Sequence, residues 1–162
     1  MCSCVTWSND FSALSDDCGE TGEATVTFTA TDACGNTSSS SATFTIEDTT
    51  PPTIDTEASN STVQCDGAGN AADLNAWLAS NGGATASDVC SGVTWSNDFS
   101  ALSDDCGESG EATVTFTATD ACGNTSSSSA IFTIEDTISP LVPNSPADIT
   151  YECMVDVPDA SD

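Results

Sequence analysis

The chain is predicted to be all-β, built from tandem β-sandwich units that each carry a short helical insertion. Three observations predict this. Residues 5–49 recur as residues 93–137, an offset of 88 (93 − 5), with differences only at Thr21/Ser109 and Thr43/Ile131. Apolar residues alternate with Thr and Ser in short runs, the period-2 pattern of half-buried strands. Clusters of Asp, Gly, Asn and Ser separate the runs at short-strand spacing.

The elements of one unit follow in order. Residues 61–64 read as a short strand after the proline turn at Pro51–Pro52. Residues 73–80 read as a helix with Asp73 as N-cap. Leu74, Trp77 and Leu78 share one of its faces, and Asn81–Gly82–Gly83 stops it. Residues 93–95 form a strand that turns Trp95 toward the core. Residues 112–120 alternate, with Val114, Phe116 and Ala118 inward and threonines outward. Residues 130–134 place Phe132 and Ile134 inward around Thr133. Turn clusters at 104–110 and 121–129 divide these strands. Such strand and connection lengths predict an immunoglobulin-like sandwich of one repeat length.

The repeat sets the expected domain organisation. Residues 1–48 are the back half of one unit, 49–136 a complete unit, and 137–162 the start of another. Cys153 keeps the same offset from Cys65. The chain is accordingly expected to belong to a longer protein with further copies.

Composition narrows function. The chain has no Lys, Arg or His against 26 Asp and Glu, for a formal charge of −26. No side-chain salt bridge can form, so salt or divalent metal must screen the carboxylates. Imidazole bases, Schiff-base lysines and phosphate-clamping arginines are all excluded. A polyanion will not bind nucleic acid. An enzyme would have to work with carboxylates alone, and near-identical tandem copies argue against that; the expectation is non-enzymatic. No run approaches the roughly 18 apolar residues of a membrane helix. Nine cysteines without His or a C-x-x-C pair point to disulfides and an oxidising, extracellular setting.

The run TATDACGN before a strand, the linker IEDTTPP and the later PADITYEC together resemble hyalin-repeat (HYR-like) immunoglobulin-like domains. Four-cysteine versions of this repeat are similar to those in giant surface adhesins of gliding Bacteroidota, exported by the type 9 system. The resemblance implies a cell-surface, adhesive role tied to gliding motility. The helix-bearing segment 67–83 departs from a plain sandwich.

A complete unit holds Cys65, Cys90, Cys106 and Cys122, which allow three connectivities. In an immunoglobulin-like topology Cys90 and Cys122 fall at one end of the domain, Cys65 and Cys106 at the other. Pairing Cys106 with Cys122 inside a unit would have to span a whole strand, roughly 25 Å. The expected bridges are therefore Cys90–Cys122, Cys65–Cys106 and, by repetition, Cys2–Cys34. Cys18 and Cys153 are expected to lack partners, and Cys4 stands where the next copy has Gly92.

The acids gather at turns and linkers. Calcium takes six to eight hard oxygen ligands, and the pattern is similar to cadherin repeats: an acid pair, an ATD-x-x-GN turn and an acidic linker. That resemblance implies calcium between successive units, held by Asp16 and Asp17 of one, Glu47 and Asp48 of the linker, and Asp88, Asp120 and Asn124 of the next. The alternative is plain solvation, since Asp, Asn and Gly favour turns for backbone reasons. For the Asp66–Asn70–Asp73 cluster, helix capping is the favoured reading. Asn36, Asn60 and Asn124 fit N-x-S/T.

The expected function is a structural and adhesive module of a long extracellular filament. Its partners would be neighbouring repeats, surface polysaccharide, or other copies in a fibre. A self-assembling extracellular fibre is the alternative. Trp7, Trp77 and Trp95 could stack on sugar, but their apolar neighbours favour core positions.

Overall fold

The structure, a computed structural model, describes residues 4–142 and Thr150. Cys2, Cys153 and most of the expected third unit at 137–162 lie outside the described residues. In chain order the elements are β1 (Val5–Asn9), β2 (Gly22–Asp32), β3 (Thr37–Ile46), β4 (Thr53–Thr56), β5 (Ser61–Gln64), α1 (Ala71–Ala79), β6 (Thr85–Ser87), β7 (Thr94–Asn97), β8 (Gly110–Thr119) and β9 (Thr125–Glu135). They make three sheets, ordered β1-β2-β3, β4-β6 and β5-β9-β8-β7. Among the described residues the chain is thus mostly β with one α-helix. β5 runs parallel to β9, whereas β7, β8 and β9 are antiparallel.

Alternation builds the main sheet. Along β8, Val114, Phe116 and Ala118 are fully buried while the intervening threonines are not. Along β9, Ala130, Phe132 and Ile134 face the same way. Register places Ala112 opposite Phe132 and Val114 opposite Ala130, so large and small side chains alternate across the pair.

The helix is a core element rather than an appendage. Leu74 and Trp77 pack into the cluster formed by β8 and β9. The Trp77 ring meets Phe116 edge-on at 5.2 Å and Phe132 at 5.4 Å. Its indole N–H donates to the Ser59 carbonyl at 3.0 Å, so no polar group is stranded. α1 begins at Ala71, two residues before the expected 73, and Asn70 rather than Asp73 is its N-cap. Asp66 explains the shift: its Oδ1 accepts the amides of Ala68 and Asn70 and holds the preceding loop, while Asn70 Nδ2 donates to the Gln64 carbonyl and to Asp73 Oδ2. Asp73 lies in the first turn, where its charge suits the positive end of the helix dipole.

The β1-β2-β3 sheet repeats the register of the main one. Trp7 opposes Ala30 as Trp95 opposes Ala118, and Ala24 opposes Phe44 as Ala112 opposes Phe132. Its burial is opposite. Phe28 and Phe44 are 43% and 61% exposed where Phe116 and Phe132 are 0%, and Trp7 is 70% exposed. Trp7 is therefore not the core residue its neighbours predict. Among the described residues nothing covers this face as α1 covers β8 and β9.

Candidate metal centre between two sequence units

Residues 4–48 meet residues 49–136 end to end, at a junction made by four loops. Cys18 is disulfide-bonded to Cys122, with Cα atoms 5.2 Å apart. The Glu20 amide donates to the Cys90 carbonyl at 2.8 Å. Asn124 Nδ2 donates to the Asp48 carbonyl at 3.2 Å. Gly19 sits so close that a Cβ there would lie 2.5 Å from the Cys90 oxygen and 2.7 Å from Ser91 Cβ.

The bridge corrects the expected pairing. Cys122 is bonded to Cys18, so it does not pair with Cys90. Among the described residues Cys65, Cys90 and Cys106 carry no bridge, so Cys65–Cys106 is not formed either. Cys34 has no partner among the described residues, and its expected partner Cys2 lies outside them. The reason is geometric. The expected pairing assumed that every unit closes its own bridges. Cys106-type and Cys122-type cysteines lie at opposite ends of a unit, so end-to-end contact brings Cys18 of one against Cys122 of the next. That opposition was the available signal for Cys18, which the sequence reading left unpaired.

Beside the bridge, Asp48, Asp88 and Asp120 each present a carboxylate oxygen within 4.8 Å of the others. Each is held by its own loop. Asp88 Oδ1 accepts the amides of Cys90 and Ser91, both at 2.9 Å. Asp120 Oδ1 accepts the Asn124 amide at 2.9 Å and its Oδ2 the Asn124 side chain at 2.8 Å. Asp48 Oδ1 accepts the Thr50 amide at 3.1 Å, but Asp48 Oδ2 is buried and has no hydrogen-bond partner. Asp120 itself is only 5% exposed.

The electrostatics follow from three acids and no internal cation. Burial pushes the Asp120 carboxyl up, but hydrogen bonds from the Asn124 side chain and amide and from the Cys122 and Gly123 amides outweigh it and hold the group below its ordinary range. Burial pushes the neighbouring Cys90 thiol up, and the charges of Asp48, Asp88, Glu20 and Asp120 act in the same direction. These hydrogen bonds thus favour the ionised form of a buried carboxylate that lies beside two other acids.

Such a donor set fits a hard divalent cation. Two oxygens bound to calcium at 2.3–2.6 Å stand at most about 5 Å apart, and the triad satisfies that limit. An orphaned buried carboxylate oxygen needs a donor or a cation, and no Lys, Arg or His exists to supply one. Three of the seven expected ligand residues, Asp48, Asp88 and Asp120, come together. Asn124 adjoins them but turns its amide nitrogen inward, because both partners there are acceptors; through these contacts it clamps the junction rather than offering an oxygen. Asp17 and Glu47 line an adjoining cleft of about 380 Å³ with Asp48 and the bridge, outside the triad. Asp16 is exposed and belongs to neither.

Other candidate features resolve differently. Trp77 is buried in the core and Trp95 packs partly against it. Both Asn124 amide contacts are engaged at the junction, leaving its N-x-S/T motif poorly placed for a glycan. No helix among the described residues is long and apolar enough to cross a membrane. No protein-family model matches the chain, and no curated protein matches it.

Proposed function

We propose that the chain is a structural and adhesive module of a long extracellular filament, its 88-residue immunoglobulin-like units joined end to end by a disulfide and a calcium-binding junction. The observation that carries this reading is the junction itself. A covalent bridge and a carboxylate triad occupy one contact between successive sequence units. A module whose task is to transmit length and stiffness needs rigid joints. Linker carboxylate Asp48 and loop carboxylates Asp88 and Asp120 would share the ion, and its charge would replace their mutual repulsion with attraction. The resemblance to HYR-like repeats of Bacteroidota surface adhesins supports a cell-surface location, and the unbroken acidic composition suits salty surroundings.

Calcium titration tests the reading. Added calcium at one hundred times its Kd should stabilise the protein by about 2.7 kcal/mol. The melting midpoint should rise accordingly in calcium and fall back in EDTA, and Asp48→Asn should remove most of the difference. Equal midpoints in both buffers would reject calcium at the junction. A second reading, a fibre subunit, is favoured by one observation: the apolar face carrying Trp7, Phe28 and Phe44 is exposed.

A further inference from the structure

Both cysteines of the Cys18–Cys122 bridge have a counterpart one repeat away. Cys106 stands 88 residues after Cys18 (106 − 18), and Cys34 stands 88 before Cys122 (122 − 34). Flanking residues are identical: 16–20 and 104–108 both read DDCGE, and 32–37 and 120–125 both read DACGNT.

Local structure matches as closely. Cys18 Sγ lies 3.2 Å from Thr21 Oγ1, which donates to the Cys18 carbonyl at 2.6 Å. Cys106 Sγ lies 3.2 Å from Ser109 Oγ, which donates to the Cys106 carbonyl at 2.7 Å. On the other side, the Asp32 carboxylate accepts the Asn36 amide at 2.9 Å and side chain at 2.8 Å, the same distances as Asp120 with Asn124. Both halves of the bridging geometry are therefore preformed in copies that carry no bridge.

What differs is occupancy of the surrounding space. Cys18 and Cys122 are half-buried, while Cys106 and Cys34 are exposed. Gly19 is crowded by Cys90 and Ser91, yet Gly107, with nearly the same backbone angle, has nothing within 4 Å of a Cβ. The Glu20 amide has its Cys90 acceptor, whereas the Glu108 amide makes no backbone hydrogen bond among the described residues.

We propose that Cys106 and Cys34 are complementary ends of a disulfide-linked array, Cys106 of one copy bonding Cys34 of a second copy of this chain. The proposal rests on the end-to-end packing read above but not on calcium. Bond formation needs an oxidant, here a small-molecule disulfide such as oxidised glutathione. The Cys106 thiolate attacks it and expels one small thiolate. The Cys34 thiolate then attacks the Cys106 sulfur of the mixed disulfide and expels the second. Two protein thiols become one disulfide, and the two electrons and two protons leave on two small thiols.

The test is oxidation of the whole chain with oxidised glutathione in EDTA, followed by non-reducing mass analysis and mapping with an acid-specific protease. The wild-type chain should give a ladder of dimers and higher species that collapses on reduction and contains a Cys34–Cys106 peptide. Cys106→Ser and Cys34→Ser should each remain free of that ladder. Mixed together they should give a dimer and no larger species, since one variant supplies Cys34 and the other Cys106. Retention of the Cys18–Cys122 peptide in both variants shows that they fold. Monomers in the mixture, or Cys106 found bonded to Cys65 or still a thiol in the folded wild type, would overturn the proposal. Because EDTA is present throughout, linkage without a calcium-dependent melt separates this inference from the metal reading.

Discussion

Replacing Cys18 and Cys122 together by serine should destabilise the protein markedly, while Cys90→Ser should leave it nearly unchanged. The bridge joins residues 104 apart in sequence. On the chain-entropy account, closing a loop of that length restrains the unfolded state by about 4.7 kcal/mol. For a chain of this size each kcal/mol moves the midpoint by roughly 2–4 °C, so the double variant should melt roughly 10–20 °C lower. Cys90 contributes its backbone carbonyl, not its thiol, to the junction; serine keeps that acceptor. Had Cys90 bridged Cys122 instead, the loop would close only 32 residues (122 − 90) and Cys90→Ser would cost about 3.7 kcal/mol. The assay is a non-reducing melt followed by circular dichroism in EDTA, with peptide mapping of the wild type. Trypsin cannot serve for that mapping, because the chain has no Lys or Arg. An unchanged midpoint in the double variant together with a lowered one in Cys90→Ser would refute the junction as described.

Three further outcomes follow from the same geometry. Trp77→Ala should cost about 3–5 kcal/mol, as large core truncations do, because it removes the ring that meets both Phe116 and Phe132; chemical denaturation measures it. Gly19→Ala and Gly107→Ala should each carry the roughly 1–2 kcal/mol of a left-handed backbone, but only Gly19→Ala should cost more, since only there would a Cβ strike the neighbouring unit; comparing their melts isolates the junction. In acid, the amide hydrogen bonds of Ala68 and Asn70 hold the Asp66 carboxyl below its ordinary value of 3.8, and the Asn36 side chain and amide do the same for Asp32. A lowered folded-state value means that the stabilisation is present above about pH 3.8 and is lost as pH falls through the lowered value; Asp66→Asn should flatten that part of the acid-unfolding curve.

Much of the candidate site was legible before the fold was known. Asp48, Asp88 and Asp120 could be named because the acid pair, the ATD-x-x-GN turn and the acidic linker resemble those of cadherin repeats. The set was too generous, since exposed acids such as Asp16 share that composition without sharing the geometry. The helix start was missed for a local reason: Asp73 is a good N-cap by residue type, but Asp66 organises the preceding loop so that Asn70 takes the position. Phe28 and Phe44 looked like Phe116 and Phe132 because pattern reports which face is apolar, not whether anything covers it.

By itself the sequence determined the repeat, the inward faces of β8 and β9 and the absence of every internal cation, because these depend on composition and on periods of a few residues. Tertiary structure alone decided how the helix packs on β8 and β9, the partner of Cys122 and which of the expected carboxylates converge. Those depend on which ends of successive units meet. Cysteine pairing is a statement about distance in space, and Cys18 and Cys122, 104 apart in sequence, meet only where the units are set end to end.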